Sequence, residues 1–153
     1  MADRIRDKAQ SNRIRRKQNE KAQGCVSDQH PWLSFRYMTT SKSHSLKFLD
    51  GLDANERDIT LQGLFSQLEE LARHSWLEWM ENRKKTGLET LSYGELNFSP
   101  AQEKELTKDT TLYIFRFDTY QGTGQGRIIG FKRAPCATYH IIGYDFNFTA
   151  YQH

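Results

Sequence analysis

The chain has 153 residues and a formal net charge of +3, with 37% hydrophobic and 27% charged residues. A chain of this length can bury a core without disulfides or a structural metal, and Cys25 and Cys136 lie far apart and outside any zinc-ligand spacing, so we expect one cytosolic domain with no metal and no cofactor. No apolar run approaches the roughly 20 residues that span a bilayer, which argues against secretion and membrane insertion.

The positive charge is concentrated at the start of the chain. Residues 1–24 contain eight lysines and arginines against three acidic residues, whereas the remainder has a net charge of −2. A basic arm with so few large apolar residues can neutralise RNA phosphates but can hardly join a core, although a tail that only keeps the protein soluble has the same composition. The RNA-binding residues that we predict in the arm are Arg13, Arg15, Arg16 and Lys17. We therefore expect a flexible or helical arm and linker over residues 1–31 and one domain over residues 32–153.

The domain is predicted to open with a strand and a long helix. Residues 32–38 alternate between two faces and are rich in aromatic side chains, which is typical of a half-buried strand. Apolar residues then recur at three- and four-residue steps from about residue 58 to about residue 84, which predicts one long amphipathic helix. The capping-box spacing of Asp53 and Glu56 allows this helix to begin earlier, or a short helix to precede it.

The rest of the domain is predicted to contain a short helix and three strands. Ser99 as cap, Pro100 at the first helical position and Gln102 completing the capping box predict that a short helix starts at residues 99–102. The strands, joined as an antiparallel meander, are predicted at residues 111–118, 126–132 and 138–145, with a flexible turn at 121–126. The sequence therefore predicts an α+β fold, in which an antiparallel sheet of about four strands carries one long and one short helix on one face.

Common enzyme signatures are absent from the sequence. It contains no P-loop, dinucleotide-binding, zinc-protease or nucleophile-elbow motif. Gly122, Gly124 and Gly126 alternate and lack a following helix, so we interpret them as a hairpin turn rather than a phosphate cradle. Asp118 and Asp145 both end strands, which is a common solvated position, and they do not predict a metal site.

Cationic and aromatic side chains are concentrated on the three terminal strands. Cleavage of RNA by its own 2′-hydroxyl needs a base, an acid and cations for the phosphorane charge, all of which His, Tyr, Arg and Lys can supply without a metal. The candidate catalytic residues are Arg116, Arg127, His140, Tyr151 and His153. The candidate RNA-binding residues of the sheet are Lys132 and Arg133. We expect Arg116 and Arg127 to face solvent near the C-terminal aromatic residues.

Each candidate also has a structural interpretation. His140 lies within a strand, where a histidine can serve as a partly buried packing residue. Arg116 and Arg127 can pair with Asp118 or Asp145 across strands. The C-terminal aromatic rings can pack in the core instead of stacking on bases.

The C-terminal half resembles the RelE/YoeB-like ribonuclease toxins. The resemblance is carried by an arginine-led strand at residues 127–131, an apolar strand at residues 139–144 and the terminal Tyr151-Gln152-His153, and it extends over residues 32–153. It implies a compact βααβββ domain that cuts messenger RNA, usually on the ribosome, and that a cognate antitoxin holds silent.

The resemblance also assigns roles to residues. It implies that Arg127 binds phosphate and that Tyr151 with His153 forms the terminal acid–base group. The family's second arginine has no counterpart, because Asp145 and Asn147 stand near its place. The family's lysine-rich segment is reduced to Lys104 and Lys108.

The sequence thus predicts a cytoplasmic, metal-independent endoribonuclease, the toxin of a bacterial toxin–antitoxin system. Its expected partners are RNA, free or on the ribosome, and a cognate antitoxin or another protein, with no membrane association. The alternative is a non-catalytic module that binds nucleic acid or protein, for example an accessory or inhibitor protein of a mobile genetic element.

Overall fold

The computed structural model describes residues 29–133 and 136–153. The basic arm lies outside the described residues, together with the predicted RNA-binding residues Arg13, Arg15, Arg16 and Lys17. The strands are β1 Trp32–Ser34, β2 Glu89–Ser92, β3 Thr111–Thr119, β4 Gly122–Phe131 and β5 Thr138–Asp145. The α-helices are α1 Ala54–Arg73, α2 Trp76–Glu81 and α3 Arg83–Thr86. Short 3-10 helices cover Lys42–His44, Leu46–Gly51, Tyr93–Glu95 and Glu103–Glu105.

The strands form one five-stranded sheet in the order β1-β5-β4-β3-β2. β1 pairs with β5 in parallel, and every other pair is antiparallel. The α+β class and the meander of β3, β4 and β5 are confirmed, whereas the prediction of about four strands missed β2. β1 is also shorter than predicted, because the chain turns at Arg36 and Tyr37 and buries the Tyr37 ring.

The predicted long helix is divided into three. Asp53 and Glu56 form the predicted capping box, so α1 begins at Ala54 rather than near residue 58. A second capping box follows within the predicted helix, since Ser75 accepts a hydrogen bond from the Glu78 N–H and Glu78 bonds back to the Ser75 N–H. This box starts a new helix at Trp76 and therefore ends α1 at Arg73.

Two predicted local structures were wrong. No α-helix starts at residues 99–102, because Gln102 has a left-handed backbone (φ +57°) and only a 3-10 turn follows it at Glu103–Glu105. The glycine-rich segment is not the hairpin turn either. That turn consists of Tyr120 and Gln121, and Gly122–Gly126 belong to β4.

Both faces of the sheet are buried. The α-helices cover one face, and the core there includes Leu64, Leu68, Leu71, Trp76, Trp79, Phe115 and Tyr139. The segment between β2 and β3 and the tail after β5 cover the other face. The core on that face includes Tyr37, Leu112, Ile114, Ile129, Phe131, Ile142 and Tyr151. Charged side chains of the sheet can therefore reach solvent only at its rim.

None of the helices in the described part of the chain is long and apolar enough to cross a membrane.

The contact between α1 and β3 leads to a stability prediction. A Cβ atom on Gly63 would lie 1.9 Å from the Asp118 carbonyl oxygen, so only glycine lets the helix approach the strand this closely. We expect Gly63→Ala to lower the free energy of unfolding by about 3 kcal/mol, because the helix must move away from the sheet. Gly51→Ala is the matched control, since a Cβ there would meet nothing within 4 Å. Equal denaturation midpoints for the two variants would contradict this account of the α1–β3 contact.

Candidate functional site

Four neighbouring strands contribute one charged side chain each to the same end of one sheet face. Arg116 in β3 lies directly opposite Arg127 in β4, and Arg127 lies opposite Asp145 in β5. Glu89 in β2 pairs with Ile114, two residues from Arg116, and therefore projects from the same face. The sheet register thus places carboxylate, guanidinium, guanidinium and carboxylate in a row, which we call the charged row.

Glu89, at the β2 end of the charged row, contacts both arginines. Its Oε1 accepts hydrogen bonds from Arg116, with Nε at 2.8 Å, and lies 3.9 Å from Nε of Arg127. Its Oε2 accepts a hydrogen bond from the Tyr151 hydroxyl at 3.2 Å. Burial raises the pKa of the Glu89 carboxyl, but the hydrogen bond from Arg116 and the charges of both arginines outweigh burial and hold that pKa below its usual value. Glu89 is therefore ionised at neutral pH, and 31% of its side chain is exposed.

The two arginines differ in exposure. The Arg116 side chain is 48% exposed, as expected from the sequence, and it passes close to Gly87, where a Cβ atom would lie 3.1 Å from Arg116 Cδ. The Arg127 side chain is only 6% exposed, so the expectation that it faces solvent was wrong. Its Nη1 donates to the carbonyl oxygens of Gly124 at 2.6 Å and Gly126 at 3.0 Å, which fix the guanidinium inside the protein. Arg116 can therefore touch a ligand, whereas Arg127 acts mainly through its charge.

The buried carboxylate of Asp145 organises the segment after β5. Asp145 is 1% exposed and accepts backbone N–H groups from Asn147 at 3.3 Å, Thr149 at 3.1 Å and Ala150 at 3.2 Å. These three bonds fold the tail back over the charged row. Asp145 ends a strand as expected, but it lies in the interior rather than in solvent.

The folded-back tail brings Tyr151 and His153 to the site. Burial and the neighbouring Glu89 carboxylate raise the pKa of Tyr151 to about 12, so this hydroxyl keeps its proton and serves as a hydrogen-bond donor. The His153 side chain is 30% exposed, its Nε2 lies 3.8 Å from Asp145 Oδ2, and its ring lies 4.3 Å from the Tyr151 ring. The structure therefore brings together four of the five predicted catalytic residues: Arg116, Arg127, Tyr151 and His153.

His140 does not join them. It lies opposite Phe131, four residues along β4 from Arg127 and therefore about 13 Å away. Its ring packs against Tyr37 and Phe131 at 5.0 and 5.1 Å, and burial with the nearby Arg133 and Arg36 lowers its pKa. These contacts support the packing interpretation of His140.

The predicted RNA-binding residues of the sheet also lie at the far end of β4. Lys132 Nζ lies 4.5 Å from the Trp76 ring centroid and 5.4 Å from that of Tyr113, on the helix-covered face. Arg133 lies 3.5 Å from Glu105. Neither residue contacts the charged row.

Glu89 was missed by reasoning from the sequence. It falls in a segment between the two predicted helices, and Leu88, Glu89, Thr90 and Leu91 do not show the period-2 alternation that marks a strand. A four-residue strand gives too short a pattern to stand out beside a long helix.

No three His, Cys, Asp or Glu side chains of residues 29–133 and 136–153 form a group that could hold a metal ion. Comparisons of the chain with protein-family models, with curated proteins and with solved structures found no match to any of them.

Proposed function

We propose that the protein is a metal-independent endoribonuclease that cleaves RNA by attack of the 2′-hydroxyl on the adjacent phosphate. The observation that supports this most is the partly exposed Glu89 carboxylate, held by Arg116, Arg127 and Tyr151, with the His153 imidazole packed against the Tyr151 ring. These side chains supply the base, the acid and the cations that the reaction needs.

Glu89 is proposed as the general base that takes the proton of the 2′-hydroxyl. Its lowered pKa keeps the carboxylate ready at neutral pH but also makes it a weak base. A bound phosphate would share the charge of Arg116 and so weaken the effect that lowers this pKa. Substrate binding itself would therefore make Glu89 a stronger base.

His153 is proposed as the general acid that protonates the departing 5′-oxygen. Imidazole is a common general acid in proteins, and 30% of this side chain is open to solvent. Asp145 Oδ2 and the Tyr151 ring hold the imidazole next to Tyr151, whose hydroxyl donates to Glu89. An acid and a base on the same rim can serve opposite sides of one phosphate.

The arginines are proposed to stabilise the charge of the pentavalent transition state. Arg116 is exposed enough to donate hydrogen bonds to phosphate oxygens. The carbonyl groups of Gly124 and Gly126 fix Arg127 before the substrate binds. The guanidinium therefore does not have to move during the reaction to stabilise the negative charge. The buried arginine is thus a positioning and electrostatic group rather than a direct phosphate ligand.

The toxin part of the proposal rests on the resemblance to RelE/YoeB-like proteins. A nuclease with this role requires an antitoxin that keeps it silent, and an antitoxin that covers Arg116 and His153 would close the exposed rim of the site.

Replacing His153 tests the proposal directly. We expect His153→Ala to slow cleavage of single-stranded RNA by at least about a hundredfold, because the leaving 5′-oxygen loses its proton donor. His74→Ala is the matched control, since His74 is also partly exposed but contacts Glu70 and Glu78 at the end of α1. Equal cleavage rates for wild type and both variants, or no cleavage by wild type, would contradict the assignment.

A further inference from the structure

Phe148 has an unusual backbone and an unusual exposure for a large apolar residue. Its φ is +59°, and among the described residues only Gln102 shares a positive φ without being glycine. Bulky side chains rarely adopt this left-handed conformation, because Cβ crowds the backbone. Phe148 is also 39% exposed, whereas Phe146 and Tyr151 on either side are buried. Phe148 therefore adopts an unfavourable backbone conformation that leaves its aromatic side chain at the surface.

The loop around Phe148 is firmly built. Asp145 accepts the backbone N–H groups of both neighbours, Asn147 and Thr149. The Thr149 hydroxyl donates to Asn147 Oδ1 at 2.8 Å and lies 3.2 Å from Nε2 of His44. These contacts anchor the residues before and after Phe148, so the outward position of the ring is set by the loop.

The ring lies beside the groups proposed for catalysis. The guanidinium carbon of Arg127 is 5.2 Å from the Phe148 ring centroid, and the His153 ring is 5.0 Å away at an interplanar angle of 84°. Both contacts orient the aromatic plane next to the proposed general acid. An exposed, oriented aromatic ring next to a phosphate site is what a nucleobase needs for stacking.

We propose that Phe148 is a stacking platform for an unpaired nucleobase next to the cleaved phosphate, so that the substrate is single-stranded RNA. The position of the phosphate rests on the proposed function, but the stacking does not require cleavage. Every base offers a π-face, so this contact favours unpaired over paired RNA rather than one base over another. In a duplex the bases are stacked on each other and cannot reach the ring.

The test uses binding rather than cleavage. The probe is a short single-stranded RNA that contains 2-aminopurine and carries 2′-fluoro sugars, which lack the attacking hydroxyl, and a duplex of the same sequence serves as a second probe. We expect Phe148→Gly to weaken binding of the single strand roughly tenfold and to abolish quenching of 2-aminopurine, with duplex binding unchanged. Phe148→Trp should retain both single-strand binding and quenching. Phe65→Ala, which removes an exposed ring from α1, should bind like wild type.

Thermal unfolding separates stacking from packing. Glycine adopts a left-handed backbone freely, so Phe148→Gly should leave the midpoint unchanged or raise it. A lower midpoint would identify the ring as a packing group and overturn the proposal. The proposal would also be overturned if Phe148→Gly bound the single strand as tightly as the wild type does. The same holds if the wild type did not bind the single strand.

Cleavage of unmodified RNA by Glu89→Gln, measured in parallel, distinguishes the two proposals. If Glu89→Gln cleaves like wild type while Phe148→Gly loses the single strand, the catalytic proposal fails and the stacking site stands. If Glu89→Gln loses cleavage while Phe148→Gly binds and cleaves normally, catalysis stands and the stacking site fails.

Discussion

Glu89→Gln is expected to slow RNA cleavage by at least about a hundredfold, because an amide cannot accept the proton of the 2′-hydroxyl. The amide has the shape of the carboxylate, and its oxygen can still accept a hydrogen bond from Arg116 or Tyr151. The substitution therefore removes the base with little change to the packing around it. The measurement is the cleavage rate of single-stranded RNA at saturating protein.

Binding gives Glu89→Gln a second signature. Loss of the carboxylate leaves the charges of Arg116 and Arg127 without their shared counter-ion. The Glu89→Gln variant should therefore bind uncleavable RNA at least as tightly as the wild type does. A residue needed only for folding would lose binding and cleavage together. Glu81→Gln, at an exposed position in α2, is the matched control and should cleave like wild type. Cleavage by Glu89→Gln within a few-fold of wild type would exclude Glu89 as the base.

Asp145→Ala is expected to lower the free energy of unfolding by about 4 kcal/mol, because a buried acceptor is removed and three backbone N–H groups lose their partner. Asp145→Asn should lower the free energy of unfolding by less, since its amide oxygen can still accept hydrogen bonds from the Asn147 and Thr149 N–H groups. Its NH₂ group, however, faces the Ala150 N–H and cannot accept a hydrogen bond from it. Both changes should also reduce cleavage, because Asp145 positions the tail that carries His153.

The control for Asp145 is Asp109→Ala, at an exposed position before β3, which should change the free energy of unfolding by less than about 0.5 kcal/mol. Chemical denaturation of the three variants and the wild type measures the differences. A loss below about 1 kcal/mol for Asp145→Ala would mean that the tail is held by other contacts.

The sheet could be predicted from the sequence where its pattern was long. β3, β4 and β5 are eight to ten residues each, and their aromatic and β-branched residues are typical of strands. The start of α1 was also readable from Asp53 and Glu56. The break at Ser75 was harder to predict, because apolar residues continue at helical spacing on both sides of it. Only the local capping box of Ser75 and Glu78 marks the start of a new helix.

The site could be predicted only in part, because it depends on contacts between distant segments. Arg116 and Arg127 belong together through strand pairing, which the hairpin implies. Glu89 joins them from 27 residues before Arg116, through β2, and this pairing leaves almost no sequence pattern. The burial of Arg127 depends on carbonyl groups of a glycine-rich segment, and the position of His153 depends on a tail folded around Asp145.

The ends of the RNA products test most directly whether Glu89 and His153 act on the 2′-hydroxyl. Wild-type protein in excess chelator should leave a 2′,3′-cyclic phosphate on one fragment and a 5′-hydroxyl on the other. RNA in which the 2′-hydroxyl is replaced should stay intact. Fragments with a 5′-phosphate and a 3′-hydroxyl, or cleavage of the substituted RNA, would contradict attack by the 2′-hydroxyl.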